Sequence, residues 1–399
     1  MKIYISEDDM CTTQKLNLAR VQKWFYANGC HIVDDIEQSD KVICMTCNGW
    51  SLLENNSYDR IKNLQRKVKN TKSDMIVMGC VVDAHKQKVD KIWNGATVRT
   101  KSDKPFSFDE IQQLFPDFKI KLDNIPAQSV FRRKEDYRDY NLQKRFINIA
   151  EGCAFFCTFC THKPGLGNRR SRPLNEIKEQ ISTALDEGAK VINLMGMETS
   201  LWGYEFKSNF AALLEEVLNI NDNFEVHVAQ FNASGMNRFH EELLPLFQNK
   251  RVTDIQAPIQ STSERVLKMM NRKLHFDGLG DFLKEVRRVN SRVILRTDLI
   301  VGWPTENRSE LIDSLDFAGS HYDEIAVYSI ELSPDLPAWK YKDDAYSEKE
   351  LEEIRKFSVN YLNTKFPKVV VHSGQQDDNT MKKAEKKRII LREERANLK

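Results

Sequence analysis

No uninterrupted apolar run in the 399 residues is long enough to span a bilayer, so no membrane segment is expected. The start, Met1-Lys2-Ile3-Tyr4-Ile5-Ser6-Glu7-Asp8-Asp9, turns acidic before an apolar h-region forms, and no signal peptide is expected. Charge of one sign is missing too: 60 Lys and Arg face 58 Asp and Glu, for a formal net charge of +2. No global field therefore demands a nucleic-acid partner, and only local basic stretches can argue for one. These absences read as a cytoplasmic protein whose eight cysteines are not a disulfide framework. Cys11, Cys30, Cys44, Cys47, Cys80, Cys153, Cys157 and Cys160 need another explanation. At 41% hydrophobic and 30% charged residues, the composition is that of a globular chain with room for two or three full cores.

What is present is concentrated in Cys153-Ala154-Phe155-Phe156-Cys157-Thr158-Phe159-Cys160, a Cys-x3-Cys-x2-Cys run. Thiolates are soft ligands that favour zinc and iron–sulfur clusters. A structural zinc site would want a fourth ligand nearby. His162 is the only local candidate, at a spacing no common zinc module uses. Three cysteines on a four-iron cluster instead leave one iron free for a substrate or cofactor. The run resembles that of the radical-SAM superfamily, where the free iron holds S-adenosylmethionine by its amino and carboxyl groups. An aromatic before the last cysteine, here Phe159, is usual there. A zinc knuckle or three free thiols are the plainer readings. They weigh less because the run lies between a strand and a basic loop.

Upstream, Lys2–Ser6, Lys41–Thr46 and Met75–Gly79 read as strands, and 16–26 and 52–68 as helices. Asn28-Gly29 ends the first helix. Such alternation predicts a parallel sheet covered by helices, a doubly wound domain over residues 1–125. Ligands gather beyond the carboxyl ends of such strands. Cys11, Cys47 and Cys80 all fall there. One such placement means little, but three suggest a second cluster site with three ligands and an open iron. Cys44 competes with Cys47 but lies inside its strand, and Cys30 has no partner at useful spacing. Both read as non-ligands.

Downstream, Arg145–Ala150 is a strand running into Cys153, and a helix follows from Pro173-Leu174 to Leu185. Further strands are expected at 191–195, 224–231, 254–259, 293–301 and 324–330. Helices are expected at 210–218, 241–247, 279–289 and 309–317. Six βα units predict a partial (β/α)6, TIM-like barrel over residues 140–345, with its active site at the carboxyl ends of the strands. Gly196-Met197-Glu198 and Gln260 lie at such ends. Gly196 lets backbone approach a ligand, and Glu198 can accept from an ammonium. A plain strand-to-loop turn is the simpler reading of Gly196-Met197-Glu198 alone. Asn168-Arg169-Arg170-Ser171-Arg172-Pro173 is basic and faces either an anion or solvent.

These pieces together resemble the radical-SAM methylthiotransferases over residues 1 to about 345. The matched pieces are Cys11, Thr46-Cys47, Met78-Gly79-Cys80, Glu151-Gly152-Cys153 through Cys160, Arg170-Ser171-Arg172-Pro173, Pro258-Ile259-Gln260-Ser261 with Leu267 and Met269-Met270-Asn271-Arg272, and Thr297-Asp298-Leu299-Ile300-Val301-Gly302-Trp303-Pro304. The chain departs from the family's pattern at Met10, Thr12-Thr13-Gln14, Met45, Met197-Glu198 and Thr262. The ligands are untouched, but the usual substrate is put in doubt. Residues 346–399 depart most. Ser347 and Glu350 start a helix reaching about Leu362. One strand is read at 368–372, and a basic helix follows toward Lys399. The family's C-terminal TRAM barrel is not expected there. The basic tail can bind RNA phosphates; a solvated terminal helix is the reading preferred.

The resemblance implies a transferase with two 4Fe-4S clusters and S-adenosylmethionine. Cys153, Cys157 and Cys160 would hold the cluster that cleaves S-adenosylmethionine, and Cys11, Cys47 and Cys80 an auxiliary cluster carrying sulfur. Phe159, Gly196, Met197, Glu198 and Gln260 would contact the cofactor. The implied partners are a peptide or protein side chain, slightly favoured because TRAM is missing, or a tRNA adenosine. An electron donor such as flavodoxin or ferredoxin is implied as well. Two rivals stand: a radical-SAM peptide- or RNA-modifying enzyme whose auxiliary cluster inserts no sulfur, and a non-enzymatic cluster- or RNA-binding protein.

Overall fold

The computed structural model describes residues 1–6, 10–49, 51–99, 108–126, 144–221, 223–274, 276, 278–373 and 378–398. The stretch expected between the two domains, 126–139, lies almost wholly outside them. Contacts divide the chain into two compact units. The first holds Met1–Val130, Phe146–Ala154 and Thr161–Ile181; the second holds Phe131–Arg145, Phe155–Cys160 and Ser182–Lys399.

The first unit is built on β1 (Lys2–Ser6), β2 (His31–Val33), β3 (Lys41–Thr46), β4 (Asp74–Gly79) and β5 (Ala96–Val98). They form a five-stranded sheet in the order β2-β1-β3-β4-β5, parallel at each pairing. β3 is central, and its near-continuous apolar run is buried, as a strand covered on both faces requires. Helices α1 (Thr12–Ala27), α2 (Ser51–Val68), α3 (Cys80–Ala84) and α4 (Lys86–Asp90) connect the strands. Trp24 and Phe25 of α1 pack edge-on against Phe115, closing one core. Sequence reading missed β2 and β5 because each has three residues, too few to show alternation. This unit also holds most of β6 (Lys144–Glu151), paired antiparallel with β7 (Arg170–Ser171), and helix α5 (His162–Leu166). Helix α6 (Leu174–Asp186) begins in it.

The second unit carries β8 (Val191–Gly196), β9 (Glu225–Val228), β10 (Val252–Gln256), β11 (Ile294–Val301), β12 (Glu324–Ser329) and β13 (Val370–Ser373) as sequential parallel neighbours. Helices α7 (Phe210–Leu218), α8 (Ala233–Arg238), α9 (His240–Phe247), α10 (Glu264–Met269), α11 (Leu279–Val289), α12 (Arg308–His321), α13 (Glu348–Lys365) and α14 (Asp378–Ala396) lie between or after them. Capping boxes fix two helix starts, Asn307 with Glu310 and Ser347 with Glu350. β10 ends earlier than its apolar run suggested. Beyond Gln256 the chain leaves the ladder and returns only at Gln260, bridged to Leu299.

The tail departs from the reading as a solvated helix. β13 extends the sheet beside β12, and α14 turns its arginines inward. Arg388 forks onto Glu324 at 2.9 and 2.7 Å. Arg395 reaches Asp323 at 2.7 Å, and Arg392 lies 3.5 Å from Asp254. Basic residues at helical spacing looked like a wet face because their buried acidic partners lie far away in sequence. Among the described residues, no helix is long and apolar enough to cross a membrane.

Candidate active site

The first unit brings Cys11, Cys47 and Cys80 together. Each comes from the carboxyl end of a strand: Cys11 caps α1, Cys47 follows β3, and Cys80 opens α3. Cys80 can follow β4 so abruptly because Gly79 has φ 116°; a Cβ there would stand 2.1 Å from the Thr46 carbonyl oxygen. Cys11 and Cys47 hydrogen-bond to each other. That bond draws the Cys47 thiol down to about 7 and, with burial, pushes Cys11 up. Burial pushes Cys80 up as well, with the negative charge of Cys47 adding to it. Ser57 braces the loop, accepting from the Cys47 N–H at 3.0 Å and donating to the Cys47 carbonyl at 3.1 Å. Cys44 is buried in the sheet with Val42 and Ile61, its thiol raised to about 12 by burial, and Cys30 belongs to the α1 core.

Sequence reading missed Gln14, whose Nε2 donates to the Cys80 sulfur at 2.7 Å. The run Thr12-Thr13-Gln14 was visible only as a departure from the family's pattern. Two other departures, Met10 and Met45, are buried in the core of the first unit. They are absorbed by packing.

The loop from Cys153 to Cys160 follows β6. Gly152 turns the chain at φ 63°, where a Cβ would stand 2.1 Å from the Asn168 carbonyl oxygen. In the first unit the Cys153 N–H donates to Gly167, and the Lys163 ammonium donates to the Cys153 carbonyl. In the second unit the Thr158 N–H donates to Met270 at 3.0 Å, and the Thr158 hydroxyl donates to Met269 at 2.9 Å. Asn271 donates to the Phe156 carbonyl at 2.8 Å. Arg272, which sequence reading gave no role, anchors on Pro258 at 2.8 Å and places its guanidinium 3.8 Å from the Cys157 sulfur. Cys153, Cys157 and Cys160 are half-buried, and none of the three is in a disulfide.

Phe159 meets Trp303 edge-on with ring centroids 6.1 Å apart. Gln260 has φ 71° and a buried Oε1 with no partner among the described residues. Gly196 ends β8, and Met197 is half-buried beyond it. Glu198 is buried and turned into its own loop, accepting from the Ser200 hydroxyl and the Leu201 N–H. The departure at Thr262 lies against α12, its N–H donating to the Ser314 hydroxyl at 2.9 Å, while the neighbouring Ser263 caps α10 and donates to Glu310 at 2.7 Å. Of the basic loop, Arg172 is buried and bonded to Asn148 and Gln180, both at 2.6 Å. Beside it the Glu151 carboxyl is pushed up to about 8 by burial.

Both thiol sets suit thiolate-held clusters. Among the described residues no three His, Cys, Asp or Glu side chains converge on a single metal ion. A cluster does not need that convergence, because each thiolate binds a different iron. The Arg272 guanidinium lies beside the Cys157 sulfur and the Gln14 amide beside that of Cys80, and the Gln260 oxygen can accept from a cofactor amine.

Comparison with known proteins agrees with this chemistry. Residues 147–318 match the Radical SAM superfamily, and residues 10–98 match the uncharacterized protein family UPF0004. A probable threonylcarbamoyladenosine tRNA methylthiotransferase of Methanocaldococcus jannaschii is 25% identical over 92% of this chain and 85% of its own length. A ribosomal protein uS12 methylthiotransferase RimO of Chlorobaculum parvum is 23% identical over 86% of this chain and 76% of its own. Among solved structures, the radical S-adenosylmethionine methyltransferase TsrM of Kitasatospora setae, with cobalamin and a 4Fe-4S cluster bound, aligns with TM-score 0.60. It covers 84% of this chain and 76% of its own at 13% identity, a likeness of fold. The fold and the Cys-x3-Cys-x2-Cys loop define a radical-SAM enzyme, with 4Fe-4S chemistry and S-adenosylmethionine as its cofactors. Within that class, these matches support the methylthiotransferase family.

Proposed function

We propose that the chain is a two-cluster transferase that converts an unactivated C–H of a macromolecular acceptor into C–SCH3. The observation that carries this reading is the gathering of Cys11, Cys47 and Cys80 at the carboxyl edge of one sheet, in a chain that also has the radical-SAM loop. The bound cofactors supply the reductive cleavage of S-adenosylmethionine, the hydrogen abstraction and the sulfur. Cys153, Cys157 and Cys160 hold one cluster, with the Arg272 cation beside Cys157. Cys11, Cys47 and Cys80 hold the other, with Gln14 donating to Cys80. Phe159, Gly196, Met197, Glu198 and Gln260 contact the cofactor. Residues 1–125 carry the sulfur-bearing site, 140–345 the radical site, and 346–399 the helical tail.

The acceptor favoured is a protein or peptide side chain, with a tRNA adenosine as the second reading. The tail's Arg388, Arg392 and Arg395 face carboxylates of their own unit rather than phosphates. The relatives carry both kinds of name, so the choice rests on that observation. A small flavodoxin or ferredoxin supplies the electrons.

The test is mass spectrometry on anaerobically reconstituted protein given S-adenosylmethionine, reductant and, separately, bulk tRNA and ribosomal proteins. A methylthio mass gain on one pool, with 5′-deoxyadenosine, supports the reading and names the acceptor. Cys157→Ala should abolish deoxyadenosine. Cys47→Ala should keep it and lose the methylthio product. A Cys47 variant that still methylthiolates refutes the auxiliary assignment.

A further inference from the structure

The loop between β8 and α7 rises to an exposed crest. Residues 204–208 all face solvent, with Tyr204 70% and Phe206 49% exposed. A lone apolar side chain at a surface needs no explanation, but neighbouring aromatic ones mark a contact surface. Among the described residues of the second unit, the exposed aromatic side chains are these two and Phe156 of the cysteine loop. All three sit on loops that follow the carboxyl ends of strands, the end that carries the active site in barrels of this kind.

The crest is held in place from below. The Thr199 hydroxyl donates to the Ala229 carbonyl at 3.0 Å, and its N–H donates to the Gln230 carbonyl at 3.3 Å. Trp202 is buried and meets Phe206 edge-on, with ring centroids 6.1 Å apart. Gly203, at φ 86°, accepts from the N–H of Phe206 at 2.8 Å and of Ser208 at 2.9 Å. Lys207 takes a left-handed φ of 55°, and Asn209 then caps α7. The two rings are therefore presented on a preset turn, which lowers the ordering cost of a partner that settles on them.

Charge decides between partners. From Met197 to Leu218 the near-surface acids are Glu205, Glu215 and Glu216, Glu198 being buried, and Lys207 is the one basic residue. Sites for single-stranded RNA join stacking aromatics to a basic groove that tracks the phosphates. This segment supplies the rings without the groove. A peptide with basic residues fits it better, because a lysine or arginine can lie over an aromatic face while carboxylates draw it in. We propose that the 204–208 crest is where a protein acceptor docks, with Tyr204 and Phe206 seating basic and apolar side chains of its approaching segment. The inference rests on reading the chain as a transferase with a macromolecular acceptor.

The test gives ribosomal proteins or bulk tRNA to the reconstituted full chain and follows amide hydrogen exchange by mass spectrometry. Ribosomal proteins should slow exchange over residues 199–209, and tRNA should not. Methylthio product is then measured against acceptor concentration for Tyr204→Ala and Phe206→Ala. Each should raise the protein concentration that gives half the maximal rate by about tenfold, the scale of a lost aromatic anchor, and keep the maximal rate and the iron content. A folding defect would lower those two as well. Tyr26→Ala removes an exposed ring of α1 and should change nothing. Exchange slowed by tRNA in place of protein overturns the acceptor class. Exchange slowed by neither, or unchanged half-maximal concentrations, overturns the docking surface. If the wild type forms no methylthio product, the transfer reading fails by itself, and the exchange data still decide the docking.

Discussion

The Arg388–Glu324 pair allows a quantitative test of the tail's role. Arg388 and Glu324 are 7% and 4% exposed, so the pair is buried. Removing one partner of a buried ion pair costs about 3–5 kcal/mol, because the remaining charge is stranded. His372 Nε2, 3.3 Å from Glu324, still serves the carboxylate in Arg388→Ala, so the lower end, about 3 kcal/mol, is expected. For a unit of this size that is a fall in melting temperature of roughly 6–12 °C. Anaerobic circular dichroism melts would measure it. The double variant Arg388→Met/Glu324→Gln removes both charges and should recover most of the loss, which a cavity alone would not do. The pH dependence has a definite sign. Burial would raise the Glu324 carboxyl, but the hydrogen bond from His372 and the charge of Arg388 hold it well below its usual value. A depressed carboxyl stabilises the folded state above the unfolded pKa, and that stabilisation is lost as pH falls through the folded one. The gap between wild type and Arg388→Ala should therefore be full at neutral pH and close in acid. Equal melting of the two proteins at pH 7 would refute a holding role for α14.

Two other variants probe the loops. Glu306 is buried, and burial raises its carboxyl from 4.5 to about 7 while the Gly302 N–H donates to it at 2.9 Å. The folded state keeps that proton where the unfolded chain has lost it, so this group makes stability fall as pH rises from 4.5 to about 7. Glu306→Gln keeps an acceptor for Gly302 and should melt above wild type at pH 8, by on the order of 1–3 kcal/mol, with no difference near pH 4. Gly152→Ala adds a Cβ that would overlap the Asn168 carbonyl and forces a left-handed residue. Iron bound by the variant lacking Cys11, Cys47 and Cys80 should drop severalfold with this change, and unchanged iron would show that the turn does not set the loop.

What the sequence made legible follows from the range of the interactions. The strands Lys2–Ser6 and Lys41–Thr46 were readable because burial on both faces writes a local apolar run. The helices Phe210–Leu218 and Leu279–Val289 were readable from their 3.6-residue spacing. The placement of Cys11, Cys47 and Cys80 was local too: Cys47 and Cys80 directly follow β3 and β4, and Cys11 comes five residues after the end of β1. The partners of α14 were not legible. Arg388 and Glu324 are 64 residues apart, and neither end carries a mark of the other. Glu198 was legible as a carboxylate at a strand end, whereas the hydroxyl of Ser200 that donates to it was not.

Gln14 joins these arguments at one residue. Its Nε2 serves the Cys80 sulfur, while its buried Oε1 has no partner among the described residues. A buried polar atom left unsatisfied costs about 1–3 kcal/mol, so folding stability alone does not favour an amide here over a leucine of similar reach. A gain at the sulfur offsets that cost: an N–H donated to a cluster thiolate withdraws electron density and raises the reduction potential. Gln14→Leu in the chain lacking Cys153, Cys157 and Cys160 should therefore keep its melting temperature and iron while its auxiliary cluster reduces at a more negative potential. Gln14→Glu would place an anion against the thiolates, and iron should be lost. Potentiometric titration followed by electron paramagnetic resonance separates these outcomes. If Gln14→Leu leaves the potential unchanged, the amide does not act on the cluster, and its hydrogen bond to Cys80 merely positions α1.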